Sequence, residues 1–206
     1  SNHPLVASPR PARSMPFRLC VSMALSRVAG SLSSVLHDVT HGVGPVMILF
    51  HKIMENFFNI HTHTSIQPET EILSLSPEQL STDIHVVYAS VGIHPWNLTL
   101  EHSEHQWEAL CQSVKDKRTI AIGECGLDKL KGPSLELQTA IFKQEAALAE
   151  DSSLPLIIHC VKAFNELILL KKEISPRQPW IIHGFRGKLS LALDCIRHGF
   201  YLSLGS

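Results

Sequence analysis

No run in this chain is apolar for long enough to cross a membrane as a helix, which takes roughly 18–20 consecutive apolar residues; the densest stretch, Val46-Met47-Ile48-Leu49-Phe50, is far shorter. An excess of either charge is missing too: 18 basic residues face 19 acidic ones, for a formal net charge of -1. That balance argues against a broad electrostatic surface for nucleic acid, so any contact with DNA must be local. Cysteine is sparse, with five copies and no C-x-x-C pair. This excludes a disulfide framework and fits reduced thiols. Together these absences predict a soluble, cytoplasmic protein with no membrane attachment and no obligate protein partner.

Acidic residues are also missing before Asp38, whereas Arg10, Arg13, Arg18 and Arg27 occur there among many serines. That composition is transit-peptide-like. The chain nevertheless begins with Ser1, and a clean strand pattern starts only at Phe57, directly after Met54-Glu55-Asn56, which a functional start at Met54 explains better. Three readings of the first segment stand: upstream sequence outside the functional protein, a targeting segment, or a poorly ordered extension with some helix around Cys20 to Val28. None brings recognisable chemistry. The expected organisation is an extension over residues 1–53 and one domain over 54–206, since a chain of 206 residues suits one main domain.

Histidine is what the sequence has in quantity, with 13 copies. From Met54 onward, short β-branched or aromatic runs end in polar, ligand-type residues and are followed by helical or loop stretches. Phe57 to Ile60 precedes His61, Val86 to Val91 precedes Gly92-Ile93-His94-Pro95, and Thr119 to Ile122 precedes Gly123-Glu124. Leu156 to Ile158 precedes His159, Trp180 to Ile182 precedes His183, and Phe200 to Leu204 closes the series. A weaker run, Glu71 to Leu75, leads into Ser76-Pro77-Glu78-Gln79, where serine can cap a helix.

Helices are predicted over Glu101 to Lys115, Leu135 to Glu150, Ala163 to Glu173 and Lys188 to His198. In the second, Leu137, Ile141, Gln144, Ala147 and Leu148 recur at helical spacing, as on a face packed against a sheet. Near-continuous apolar strands alternating with amphipathic helices indicate a parallel sheet covered on its outer face. Seven strands with polar C-terminal ends fit an α/β fold of the TIM-type (β/α) barrel kind, whose sites sit at those ends.

The chemistry gathers there. His61 and His63 are two apart on a strand and so point to one side, where both imidazoles can address one ion. Glu124, His159 and His183 hold the equivalent place on later strands. A single catalytic zinc usually takes three protein ligands and a water, so five ligands suggest two ions sharing a carboxylate, with Glu124 as the bridge. Two such ions suit the hydrolysis of a phosphodiester.

At these residues the sequence resembles the TatD family of metal-dependent deoxyribonucleases, within the amidohydrolase-like barrels. The resemblance lies in Asn59-Ile60-His61-Thr62-His63, Val91-Gly92-Ile93-His94-Pro95 and Ala121-Ile122-Gly123-Glu124-Cys125-Gly126-Leu127-Asp128. It continues through Leu154-Pro155-Leu156-Ile157-Ile158-His159 and Ile182-His183-Gly184-Phe185-Arg186-Gly187. It implies that His61, His63 and Glu124 hold one divalent ion and that Glu124, His159 and His183 hold the other, with magnesium, manganese and zinc all open. It also implies that Glu124 is catalytic, that His94 binds substrate near the scissile phosphate, and that DNA is the substrate. Arg186 is a weaker candidate for a phosphate contact, and Asp128 is expected to fix its loop rather than bind metal.

Two departures from the family stand out. Asn59 replaces a common aspartate, and no C-terminal strand with the family's acidic-threonine-aspartate motif follows Leu204, so the barrel is expected to lack its last β/α unit and to leave a sheet edge open. Trp96, Trp107 and Trp180 are expected to be packing residues, and His37, His41, His51, His85, His102, His105 and His198 to lie in loops or on the surface. Beside the deoxyribonuclease, two other readings stay open: a truncated, inactive barrel, and an amidohydrolase-type enzyme acting on a small amide or ester.

Overall fold

The computed structural model describes residues 59–82, 86–99, 101 and 103–204. The expected extension over 1–53, the residues Phe57 and Phe58, and His37, His41, His51, His85 and His102 lie outside the described residues.

Among the described residues seven strands form one sheet in chain order, with every neighbouring pair parallel. They are β1 (Asn59–Thr62), β2 (Glu71–Leu75), β3 (Ala89–Val91), β4 (Thr119–Asp128), β5 (Leu156–Val161), β6 (Trp180–Ile182) and β7 (Tyr201–Leu202). The connections carry α1 (Pro77–Thr82), α2 (Ser103–Ser113), α3 (Leu135–Ser152), α4 (Phe164–Ile174) and α5 (Leu189–Arg197). Among the described residues β1 and β7 are the two ends of the sheet.

Local signals account for the starts of α1 and α3. Before α1, the Ser76 amide donates to Gln79 Oε1 at 2.8 Å while the Gln79 amide donates to Ser76 Oγ at 3.4 Å, a reciprocal capping box with Pro77 as first helical residue. Ser134 caps α3 by accepting from the Leu137 amide, and Ser153 ends that helix in the left-handed conformation.

The sheet is curled, because Ile60, Ile72, Ala121, Ile157 and Ile181, drawn from strands that are not all neighbours, share one inner cluster. On the outer side, Leu73, Ala89 and Val91 pack toward Leu80 and Leu110. Farther along the sheet, Ile122, Cys125, Leu127, Leu156, Ile158, Trp180 and Ile182 pack toward Phe142, Ala146, Leu167 and Cys195. The outer layer is thus the helix-covered face and the inner one the barrel interior.

One predicted helix face is corrected. Along α3 the buried residues are Gln138, Ile141, Phe142, Glu145, Ala146 and Ala149, while Gln144 and Ala147 are exposed. The apolar count misplaced the stripe because two polar side chains occupy its centre. Strand ends moved as well: β3 begins at Ala89, and β4 runs on through the motif to Asp128.

Candidate metal centre

β4 aims its motif through an irregularity. Ile122 pairs with Leu156 and Cys125 with Ile158, so three steps on β4 match two on β5. This bulge exchanges the faces of the strand. Cys125 and Leu127 go to the helix-covered side with Ile122, and Glu124 and Asp128 turn toward His159. Glycine is required beside it: Gly123 (φ +139) and Gly126 (φ +136) lie against the backbones of Ile157 and His159, where a Cβ would collide with carbonyl oxygens. β1 has a like irregularity between Asn59 and Thr62. There Asn59 Oδ1 accepts from the His61 amide at 3.2 Å, a bond for which the amide serves as well as a carboxylate.

Every expected ligand converges on Glu124, whose side chain is only 5% exposed. His94 Nε2, His159 Nδ1 and His183 Nε2 stand 3.2, 2.8 and 2.5 Å from Glu124 Oε1. His61 Nε2 and His63 Nε2 stand 3.2 and 3.5 Å from Oε2, and 3.3 Å from each other. His61, His94, His159 and His183 are largely buried and His63 is exposed at the rim. The grouping differs from expectation in one respect. His61, His63 and Glu124 cluster as anticipated, but the second tight group is His94, Glu124 and His159, each set with donor atoms within 4.8 Å of one another. His94 therefore lies as deep in the centre as the anticipated ligands, and His183 joins through Glu124 and through its ring, whose centroid lies 4.0 Å from that of His61.

The electrostatics follow from this crowding. Burial opposes ionisation of Glu124, but the surrounding imidazoles of His159, His183, His61 and His94 outweigh it and hold the carboxyl far below the usual carboxylate range. Burial depresses His183, and its bond to Glu124 only partly offsets that. For His159 burial acts downward, yet hydrogen bonds to Glu124 and Asp128 raise it.

The donor set suits a divalent cation better than hydrogen bonding alone. A carboxylate oxygen has two lone pairs, yet three imidazole nitrogens crowd Oε1. Oε2, though buried and near two more nitrogens, has no aligned hydrogen bond, and neither has His61 Nδ1. Ring nitrogens and carboxylate oxygens converging on common points are the arrangement that zinc, manganese or magnesium resolves.

Residues around the centre hold it in place. Asp128 fixes its loop as expected, Oδ1 accepting from the amides of Leu130 and Lys131. Its Oδ2 also lies 3.0 Å from His159 Nε2 and accepts from Trp96 Nε1 at 2.7 Å, so it orients a candidate ligand. Gln138 clamps the same loop, accepting from the Asp128 amide and donating to the carbonyls of Asp128 and Pro133. Glu145, 1% exposed, accepts from the Ile93 amide at 2.7 Å beside His94. Glu71 accepts from Ser65 Oγ and the Ile66 amide, ordering the loop that follows His63.

Trp96 is a second correction: it is 44% exposed at the rim, whereas Trp180 is fully buried and Trp107 packs beside the outer cluster of Leu80 and Leu110. Arg186 is exposed on the loop after His183. His105 is exposed on α2, and His198 bonds to the Asp194 carbonyl at the end of α5. The centre opens into a cleft of about 490 Å³ whose walls include Ser74, Gln79, Asn97 and Gln106. None of these walls had a sequence signal, being ordinary polar residues brought together by the curl of the sheet.

The described cysteines are free thiols, and among the described residues no helix is long and apolar enough to cross a membrane.

A family model described as TatD related DNase matches residues 51–206. The chain is 33% identical over 122 residues to YabD of Bacillus subtilis (strain 168), described as an uncharacterized metal-dependent hydrolase, covering 58% of this chain and 47% of that protein. It is 27% identical over 138 residues to the 3'-5' ssDNA/RNA exonuclease TatD of Escherichia coli (strain K12), covering 64% of this chain and 51% of that one. The chain thus spans about half the length of the curated relatives it matches. The crystal structure of the TatD homolog YjjV from Escherichia coli K12 superimposes with a TM-score of 0.59 at 23% identity, over 71% of this chain and 67% of that one, which establishes the fold.

Proposed function

The chain belongs to the TatD-related DNase family, and from that membership we propose that it hydrolyses phosphodiester bonds in single-stranded DNA with the help of two divalent ions held around Glu124. The observation that carries this reading is the convergence of five imidazoles on the two oxygens of one buried carboxylate. An exonuclease of single-stranded nucleic acid among the relatives supports the substrate class.

Glu124 would be shared between two sets of ligands, His61 and His63 on the Oε2 side and His159 with His183 on the Oε1 side. Divalent ions bound there supply a Lewis acid that makes water a nucleophile near neutral pH and stabilises charge on the attacking and leaving oxygens. The protein's part is orientation. Asp128 holds the His159 ring through its outer nitrogen. Glu145 fixes the Ile93 amide, and with it the loop that presents His94 to the phosphate. Because the family match begins at residue 51, residues 1–50 are proposed to take no part in this chemistry.

The test is cleavage of an end-labelled single-stranded oligonucleotide by the chain with added magnesium, manganese or zinc and with chelator. Chelator-sensitive cleavage that disappears in His61→Ala, Glu124→Ala and His159→Ala is the expected result. Undiminished cleavage by the Glu124 variant would sink the shared-carboxylate centre. A folded chain that takes up manganese but leaves the oligonucleotide intact would favour the inactive barrel.

A further inference from the structure

We propose that Trp96 and Lys131 form a nucleotide subsite at the rim of the Glu124 centre, the indole stacking on a base and the ammonium taking an adjoining phosphate. The proposal rests on the nucleic-acid reading above.

Trp96 leaves 44% of its surface exposed on the wall of the cleft. The half-exposed ring is anchored at one edge. Its N–H is committed to Asp128 Oδ2, so the ring offers a face and no hydrogen-bond donor. Such a surface accepts any base by stacking without reading its identity. The ring centroid lies 4.9 Å from that of His94 and 5.4 Å from that of His159, both of which touch Glu124. A base stacked there sits next to the bond that the centre would cut.

Lys131 supplies the complementary charge. Its Nζ stands 3.7 Å over the Trp96 ring, and the residue is exposed. Asp128 ties the two together, accepting the Trp96 indole on Oδ2 and the Lys131 amide on Oδ1. The adjoining Gly132 lies so close to the Pro95 carbonyl that no side chain fits between the two loops. In this arrangement the ammonium covers the ring by a cation–π contact, of a kind weak enough at an exposed site to be exchanged. An incoming base takes its place on the ring, and the lysine turns to the phosphate. On a chain of near-neutral net charge this is the local contact that a single strand needs.

The bland alternative is a clamp whose only task is to join the two loops. Phenylalanine separates the two readings, since Trp96→Phe keeps a stacking face but loses the bond to Asp128. Binding of a fluorescent oligothymidylate to the whole chain is measured by anisotropy in chelator, for wild type, Trp96→Phe, Trp96→Ala and Lys131→Met. The expected result is a roughly ten- to hundredfold loss of affinity in Trp96→Ala with most of it retained in Trp96→Phe, and a salt-dependence slope lower by about 0.7 in Lys131→Met. Equal losses in the two tryptophan variants, or none in Trp96→Ala, would overturn the subsite. Absence of wild-type binding in chelator overturns it as well. Cleavage with metal restored then tells whether the nuclease reading stands without it.

Discussion

Ile122 and Cys125 lie three residues apart on one strand and yet pack into the same apolar cluster beneath the helices. In a regular strand such residues face opposite sides. The extra residue between them, visible in the register against β5, turns Glu124 and Asp128 toward the imidazoles and leaves the apolar positions in the helix layer. Sequence motif and strand geometry are thus one device.

Substituting Glu124→Gln keeps shape and removes the charge on which five histidines converge. Cleavage is expected to fall by more than about a hundredfold, since even partners outside the ligand shell cost roughly ten- to a hundredfold. A manganese-induced rise in melting temperature is expected in the wild type and is expected to vanish in this variant. Thermal unfolding with and without manganese checks this independently of turnover.

Gly126→Ala places a methyl group against the His159 backbone at a φ of +136. Strain at such a position costs of order 1–3 kcal/mol, and relief by moving β5 carries His159 away from Glu124. Urea unfolding is expected to show the lost stability, and metal titration a weaker site.

Burial pushes the Glu145 carboxyl well above the usual carboxylate range, against the smaller opposing effect of the bond from the Ile93 amide. A neutral amide can accept the same bond, so Glu145→Gln is expected to change stability little. Glu145→Leu leaves the Ile93 N–H unpaired at a cost of about 1–3 kcal/mol. Chemical denaturation of the two variants gives the comparison.

Lys171 lies over Trp180 and Phe200, and burial, partly countered by Glu150, pushes it down to about 8. An unfolded lysine keeps its proton up to about pH 10.4, so between these values the unfolded chain binds the extra proton. This group therefore penalises the fold fully below about pH 8, and the penalty is relieved as pH rises through that window. Lys171→Met is expected to be stabilising at pH 7, by an amount on the order of 1 kcal/mol given the cation–π contacts it gives up. The difference between the two proteins should shrink toward pH 10, as denaturation at several pH values would show.

Much of this was legible in the sequence, and the part that was not has physical causes. Each of the seven runs became a strand, because parallel strands covered by helices leave an apolar signature that survives without context. His61, His63, His94, Glu124, His159 and His183 followed the apolar runs in the sequence and meet in space. β4 was cut short in the reading because Gly123 and Gly126 look like loop residues. They are glycines because β5 presses on them. The stripe on α3 was misplaced because Gln138 and Glu145 are polar in the core, and Trp96 was read as packing because an aromatic residue next to Pro95 says nothing about exposure. Each miss is a residue serving the centre at the expense of its local rule.

Gln138 and Glu145 stand seven residues apart on α3, about 10 Å along its axis. One grips the loop after β4 and the other the loop after β3. A helix that contributes nothing to the walls of the cleft therefore acts as its gauge. Sliding α3 by a single turn would release both grips at once, so the spacing of the two rims is ruled off on a rigid bar behind the sheet.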